Sequence, residues 1–181
     1  FCFSMDAAKY LETTRKVFLQ YKRMAEAAME QLSDEQISWS PSPESNSIAV
    51  IVKHLWGNML SRWTNFLTTD GEKDFRDRDA EFVATDISTR TVLIEKWEEG
   101  WKCFTDTLNS LKPEDLERIV KIRNEDHTVV EALQRQLAHY SSHIGQIVYL
   151  AKMQKDKDWK TLSIPKGQSK QFNANMMGNK K

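Results

Sequence analysis

Four stretches of this chain repeat apolar residues every three or four positions, and little else in it is periodic. That spacing is the period of an α-helix with one buried face. It constrains the fold of the 181 residues more than any other feature. The first stripe is Tyr10, Thr14, Val17, Tyr21, Ala25, Ala28 and Leu32. The second lies in "IAVIVKHLWGNMLSRWTNFL" as Ile48, Ile51, Val52, Leu55, Met59 and Trp63. Leu93, Trp97, Trp101, Phe104, Leu108 and Leu111 form the third, and Leu133, Leu137, Tyr140, Ile144, Ile147 and Ala151 the fourth. Four amphipathic helices of about 20 residues, joined irregularly, predict an all-α four-helix bundle. At helical spacing, Trp56, Trp63, Trp97 and Trp101 are expected in the core or a dimer interface.

Boundaries follow from caps and breakers. Ser33 with Gln36 reads as a capped turn, and Pro41 and Pro43 interrupt any helix. Asn46 or Ser47 suits the N-cap of the second helix, which is expected to stop near Gly71. Ser88 or Thr89 opens the third helix, and Pro113 ends it and starts a short "PEDL" turn. "ERIVKIR" alternates polar and apolar residues as a short extended piece does, and Thr128 with Glu131 makes a capping box for the fourth helix. Residues 1–5 are expected to be a frayed or extraneous end, 6–159 the bundle, and 160–181 a non-helical tail marked by Pro165 and Gly167.

Composition narrows the function classes. Lysine plus arginine equals aspartate plus glutamate at 26 each, so the basic footprint of a nucleic-acid binder is missing. No apolar run approaches the roughly 18 residues of a membrane span. Cys2 and Cys103 lie far apart and predict no disulfide framework, which makes a reducing cytoplasm the expected setting.

The chain has four histidines. His139 and His143, four apart in the fourth helix, share a face one turn apart, a spacing that lets two imidazoles converge on one ion. Tyr140 follows His139 where an HExxH zinc site has glutamate. His54 sits on the shoulder of the second helix's stripe, with Asn58 and Arg62 following on the same side. Three histidines from two facing helices give an open coordination set, three protein ligands and a vacant fourth position. Three separate core-edge histidines, each satisfied by a neighbour, fit the spacing equally well. His127 precedes the Thr128 cap and needs no special role.

At these residues, "HLWGN" and "HYSSHIGQI", the sequence resembles the DinB-like (YfiT-like) superfamily, with "HxGQ" over His143 to Gln146 the most specific piece. The resemblance covers roughly residues 6 to 155. The stretches "NSIAVIVKHLWGNMLSRWTNFLTTDGE", "RDRDAEF" and "KGQSKQFN" are similar to one bacterial branch of it. It implies a four-helix bundle, commonly dimeric, with a divalent metal held by His54, His139 and His143. Imidazole suits zinc or nickel foremost and iron as well.

The resemblance also implies a class of reactions, since relatives of this fold include transferases and isomerases that use low-molecular-weight thiols. A metal with an open position makes a thiolate nucleophile near neutral pH. The expected activity is thus a bacillithiol-type S-transfer on a small-molecule substrate by a cytoplasmic homodimer that engages neither nucleic acid nor membrane. Arg62, Arg76 and Arg78 are candidates to anchor the carboxylates of such a thiol, although each can equally be solvated or pair with Asp77, Asp79 or Glu81. Asn58 can orient a ligand. Metal-dependent hydrolysis is the rival and needs a carboxylate base, which only Asp79 or Glu81 can bring from the loop. A non-catalytic, dimeric metal-binding stress-response module is the third reading. A closed structural site would need Cys103, which is expected on the polar side of its helix, or His127.

Overall fold

A computed structural model describes residues 6–83 and 89–178. The expectation for residues 1–5 and the alternative cap Ser88 fall outside the described residues. The fold is predominantly helical, with one small two-stranded sheet. Its helices are α1 (Ala7–Met29), α2 (Asp34–Ser38), α3 (Ile48–Trp63), α4 (Arg90–Ser110), α5 (Val129–Lys155) and α6 (Ser169–Gly178), with strands β1 (Ile119–Ile122) and β2 (Glu125–Thr128) before α5. Local chemistry sets the starts. Asp6, Ser47, Thr89 and Thr128 each accept a first-turn backbone N–H, and Ser33 and Thr128 form full capping boxes with Gln36 and Glu131.

Among the four long helices, α3 packs chiefly on α4 and α1 on α5, and α3 against α5 and α1 against α4 complete the arrangement. Their apolar faces meet around an aromatic cluster in which Phe18, Trp63, Trp101 and Tyr140 surround Phe104 at ring separations of 4.5 to 5.7 Å. The Trp63 indole N–H donates to the Tyr140 hydroxyl at 3.0 Å, so two polar aromatic tips satisfy each other inside the core. Trp97 joins this core, whereas Trp56 stays at the surface under the Lys96 ammonium and donates to Glu99. No described helix is long and apolar enough to cross a membrane.

Several expectations need correcting. The buried row of α1 runs through Leu11, Thr14 and Phe18 rather than Val17, so its face is turned by about one residue. α3 ends at Trp63, short of the expected stop near Gly71, because Asn65 adopts a left-handed conformation that breaks the helix. The tail is not wholly non-helical: Lys160 is tied to α1 through Gln31, and α6 forms beyond it with every residue exposed. Cys103 is half-buried against α3 beside Thr64 and Met59, not on a polar face. The extended piece near Ile119 is β1, but its partner β2 had no alternation to reveal it.

The hairpin and the long connection decide what surrounds α3. β1 and β2 pair antiparallel around a two-residue turn at Arg123 and Asn124, both with positive φ, as the tight twisted hairpin turn demands. Asp70 accepts the backbone N–H groups of both turn residues at 2.9 and 2.7 Å. That clamp fixes the hairpin to the loop leaving α3. The same connection then folds a short 3-10 turn, Ala80–Phe82, across α3. As a result every residue of α3 but Trp56 and Leu60 is buried, including its polar shoulder.

Candidate metal centre

Helices α3 and α5 run antiparallel along the site and present matched levels. His54, Asn58 and Arg62 follow at four-residue steps on one face of α3, and Arg135, Gln136, His139 and His143 face them from α5. At the first level the imidazoles of His54, His139 and His143 converge, with one ligand nitrogen from each lying within 4.8 Å of the others. His54 Nε2 and His139 Nε2 are 3.2 Å apart.

Each outer nitrogen has a partner that decides which nitrogen is left for the centre. His54 Nδ1 donates to Glu81 Oε2 at 2.8 Å, leaving Nε2 as the inward lone pair. Glu81 is itself buried and accepts from Arg76 Nε and Nη2 at 2.7 and 3.0 Å. Burial by itself would raise the Glu81 pKa, but hydrogen bonds from His54 and Arg76 and the arginine charge outweigh it and hold the carboxyl below its ordinary value. Its approach depends on Gly57, where a Cβ would lie 2.2 Å from Glu81 Oε1. His143 Nδ1 donates to Gln146 Oε1 at 2.9 Å. Phe82 stacks on the His54 ring at 5.2 Å and shields it.

His139 is the adaptable member. Gln136 Nε2 donates to Asn58 Oδ1 at 2.9 Å and to His139 Nδ1 at 3.0 Å, which puts the His139 proton on Nε2, directed at His54. Turning both amides end for end keeps both amide hydrogen bonds: Asn58 then donates to Gln136 Oε1, His139 Nδ1–H donates to the same oxygen, and Nε2 becomes a lone pair that no longer bonds His54. The donor set therefore fits a divalent ion, with three imidazoles all able to present nitrogen inward. The electrostatics agree. Burial foremost, then the neighbouring His143, His54, Arg76 and Arg62, pushes His139 down to about 3, and burial pushes His143 down as well. Neutral imidazoles are the form that binds metal.

The histidines open into a cavity of about 360 Å³. Asn58 and Arg62 both line it, and Arg76 does so while held by Glu81. Arg78 reaches its rim with the guanidinium over the Phe82 ring. Asp79 does not reach it, and the Asp77 carboxylate instead accepts the Ala80 N–H. Neither Cys103 nor His127 joins the histidine group among the described residues. Of the loop acids, Glu81 arrives, but as the partner of His54 rather than at the open side. Gln136, Arg123 and Arg135 were missed in the sequence, and Gln146 was marked only as the end of "HxGQ", without a role. The amides had a signal, each standing three residues from a histidine, in "QLAH" and "HIGQ", at same-face helical spacing. The arginines had none.

No curated protein matches the chain. Residues 5–168 match the model of the family described as "Protein of unknown function (DUF1572)", and the chain belongs to that family.

Proposed function

We propose that this chain is a metal-dependent enzyme built on a DinB-like four-helix bundle, with an open centre at His54, His139 and His143. The observation that carries this reading is the convergence of three imidazoles whose outer nitrogens are all engaged, beside a cavity large enough for a small molecule. A divalent metal, zinc or nickel before iron, supplies Lewis-acid activation of a thiol or water at neutral pH when bound there. The chain's own residues do the rest. Glu81 and Gln146 orient His54 and His143, Asn58 and Gln136 offer amides to a ligand one turn away, and Phe82 keeps water off the His54 ring.

Thiol chemistry suits these walls better than hydrolysis. Among the described residues that line the cavity there is no carboxylic acid, and Glu81 is committed to His54 and Arg76. A thiol that ionises on a metal needs no carboxylate base, so a bacillithiol-type S-transferase is the leading assignment and a hydrolase the runner-up. The homodimer and the cytoplasmic setting belong to the proposal on the DinB-like resemblance alone. A purely structural metal would want a fourth protein ligand, and among the described residues none stands near. The test is metal content by mass spectrometry on the untagged chain and its His143→Ala variant. About one divalent metal per chain, lost in the variant, is expected. A wild-type chain that stays empty after incubation with zinc or nickel at neutral pH refutes the centre.

A further inference from the structure

The end of the cavity away from the histidines is strongly cationic, although the chain as a whole is neutral. Arg62, Arg123 and Arg135 stand there, while Arg76 and Arg78 line the cavity nearer His54, on Glu81 and over Phe82. Arg76 is matched by Glu81, and Arg123 by Glu72 at 3.0 Å. Arg62, Arg78 and Arg135 have no ion pair among the described residues.

Arg62 is the decisive residue. It is only 6% exposed, and its Nε and Nη1 are buried with no hydrogen-bond partner. Burial disfavours its charge, and Arg135 and Arg76 oppose it further, while Tyr140 and Glu72 favour it from a distance without bonding to it. A guanidinium cannot shed its proton, so this arrangement keeps a charge inside the protein with no acceptor bonded to it, although Asp70 and Glu72 lie within electrostatic range. The surroundings nonetheless hold it in place. The Gly71 backbone presses so close that a Cβ there would lie 2.6 Å from Nη1, and Gly71 is pinned by Ser61 Oγ and by the Lys121 carbonyl. A buried donor set without an acceptor, on a side chain that lines the cavity, is what an absent anion leaves behind.

We infer that Arg62, Arg135 and Arg123 form an oxyanion subsite, and that the small molecule using this cavity carries a dianionic phosphate or dicarboxylate group at that end. The Asn58–Gln136 level separates the subsite from the histidines. The eight-residue step along α3 from His54 to Arg62 corresponds to about 12 Å along the helix axis. The ligand therefore keeps its charge up to two helical turns from its reacting group. The inference rests on the enzyme reading only for that reacting end.

The test is calorimetric titration of the full chain with inorganic phosphate and with succinate at fixed ionic strength, against sodium chloride. Saturable binding of at least one anion is expected, retained in His143→Ala, weakened at least tenfold in Arg135→Gln and lost in Arg62→Met. Tighter phosphate points to a phosphate ester, tighter succinate to a dicarboxylate. Arg62→Met should also melt no lower than wild type, because it removes an unpaired buried charge. Binding of neither anion, or binding unchanged in a folded Arg62→Met, overturns the subsite. Loss of binding in His143→Ala overturns it too, by moving the anion to the histidines. If Arg62→Met fails to fold, Arg135→Gln at its exposed position decides the matter. Metal content is read separately, so an anion that binds a metal-free chain keeps the subsite while removing the metal.

Discussion

Glu81→Gln isolates the part played by the carboxylate behind His54. Glu81 is 4% exposed and accepts three hydrogen bonds, from His54 Nδ1 at 2.8 Å and from Arg76 Nε and Nη2 at 2.7 and 3.0 Å. Glutamine keeps the shape but has one acceptor oxygen. If that oxygen faces His54, the amide N–H₂ confronts Arg76 Nε; if it faces Arg76 Nε, His54 loses its acceptor. Losing one charge-assisted bond in a buried site weakens the fold by about 1.5–3 kcal/mol. For a domain of this size that lowers Tm by about 3–12 °C. Metal affinity should fall about 10- to 100-fold, because the ring is no longer held in the tautomer that directs Nε2 inward. Thermal melts of chelator-treated protein and zinc competition against a chromophoric chelator measure the two effects. A variant that melts lower but binds zinc as tightly as wild type refutes the orienting role and leaves Glu81 a structural partner of Arg76.

Gly57→Ala places a methyl 2.2 Å from Glu81 Oε1 and 2.9 Å from its Cδ, so the carboxylate must retreat. We expect a loss of about 1–3 kcal/mol in urea unfolding together with several-fold weaker zinc binding; an alanine variant with wild-type affinity would show that Glu81 is not needed where it sits. In chelator-treated protein, acid should weaken the fold through His139, whose folded-state pKa of about 3 lies below the 6.5 of the unfolded chain. Between those values the unfolded state holds more protons, so stability is full above pH 6.5 and declines as pH falls toward 3. Taken from pH 6.5 to 5, and reduced for the partial exposure of the ring, His139 contributes about 1 kcal/mol of this decline. Equal pH slopes for wild type and His139→Asn in that range would contradict it.

Much of the candidate centre was legible because its decisive spacings are local. His139 and His143 lie one helical turn apart in any helix that contains them, and His54, Asn58 and Arg62 share a face of α3 for the same reason. The choice between a site and three separate histidines was not legible, since it depends on how α3 meets α5. Glu81 had been considered as a base at the open side. It lies 27 residues from His54, and only the fold of the loop shows that it reaches the other nitrogen instead. The period places His54, Asn58 and Arg62 on the shoulder of α3, and only the fold shows them buried, with the 3-10 turn lying across the helix.

Sequence by itself determined what a local period or a single cap can determine: four amphipathic helices, most of their N-termini, and the pairing of histidines within a turn. These follow from intrahelical geometry and from side chains that bond their own backbone, so no distant contact is needed. Only the tertiary structure decided which charges share a cavity. Twenty-six basic and 26 acidic residues cancel along the chain. Helix packing, the long connection and the Asp70-clamped hairpin nonetheless gather five arginines around one cavity and leave Arg62 buried without an acceptor. Net charge is a sum over the chain, whereas the field a ligand meets is set by distances between residues far apart in it.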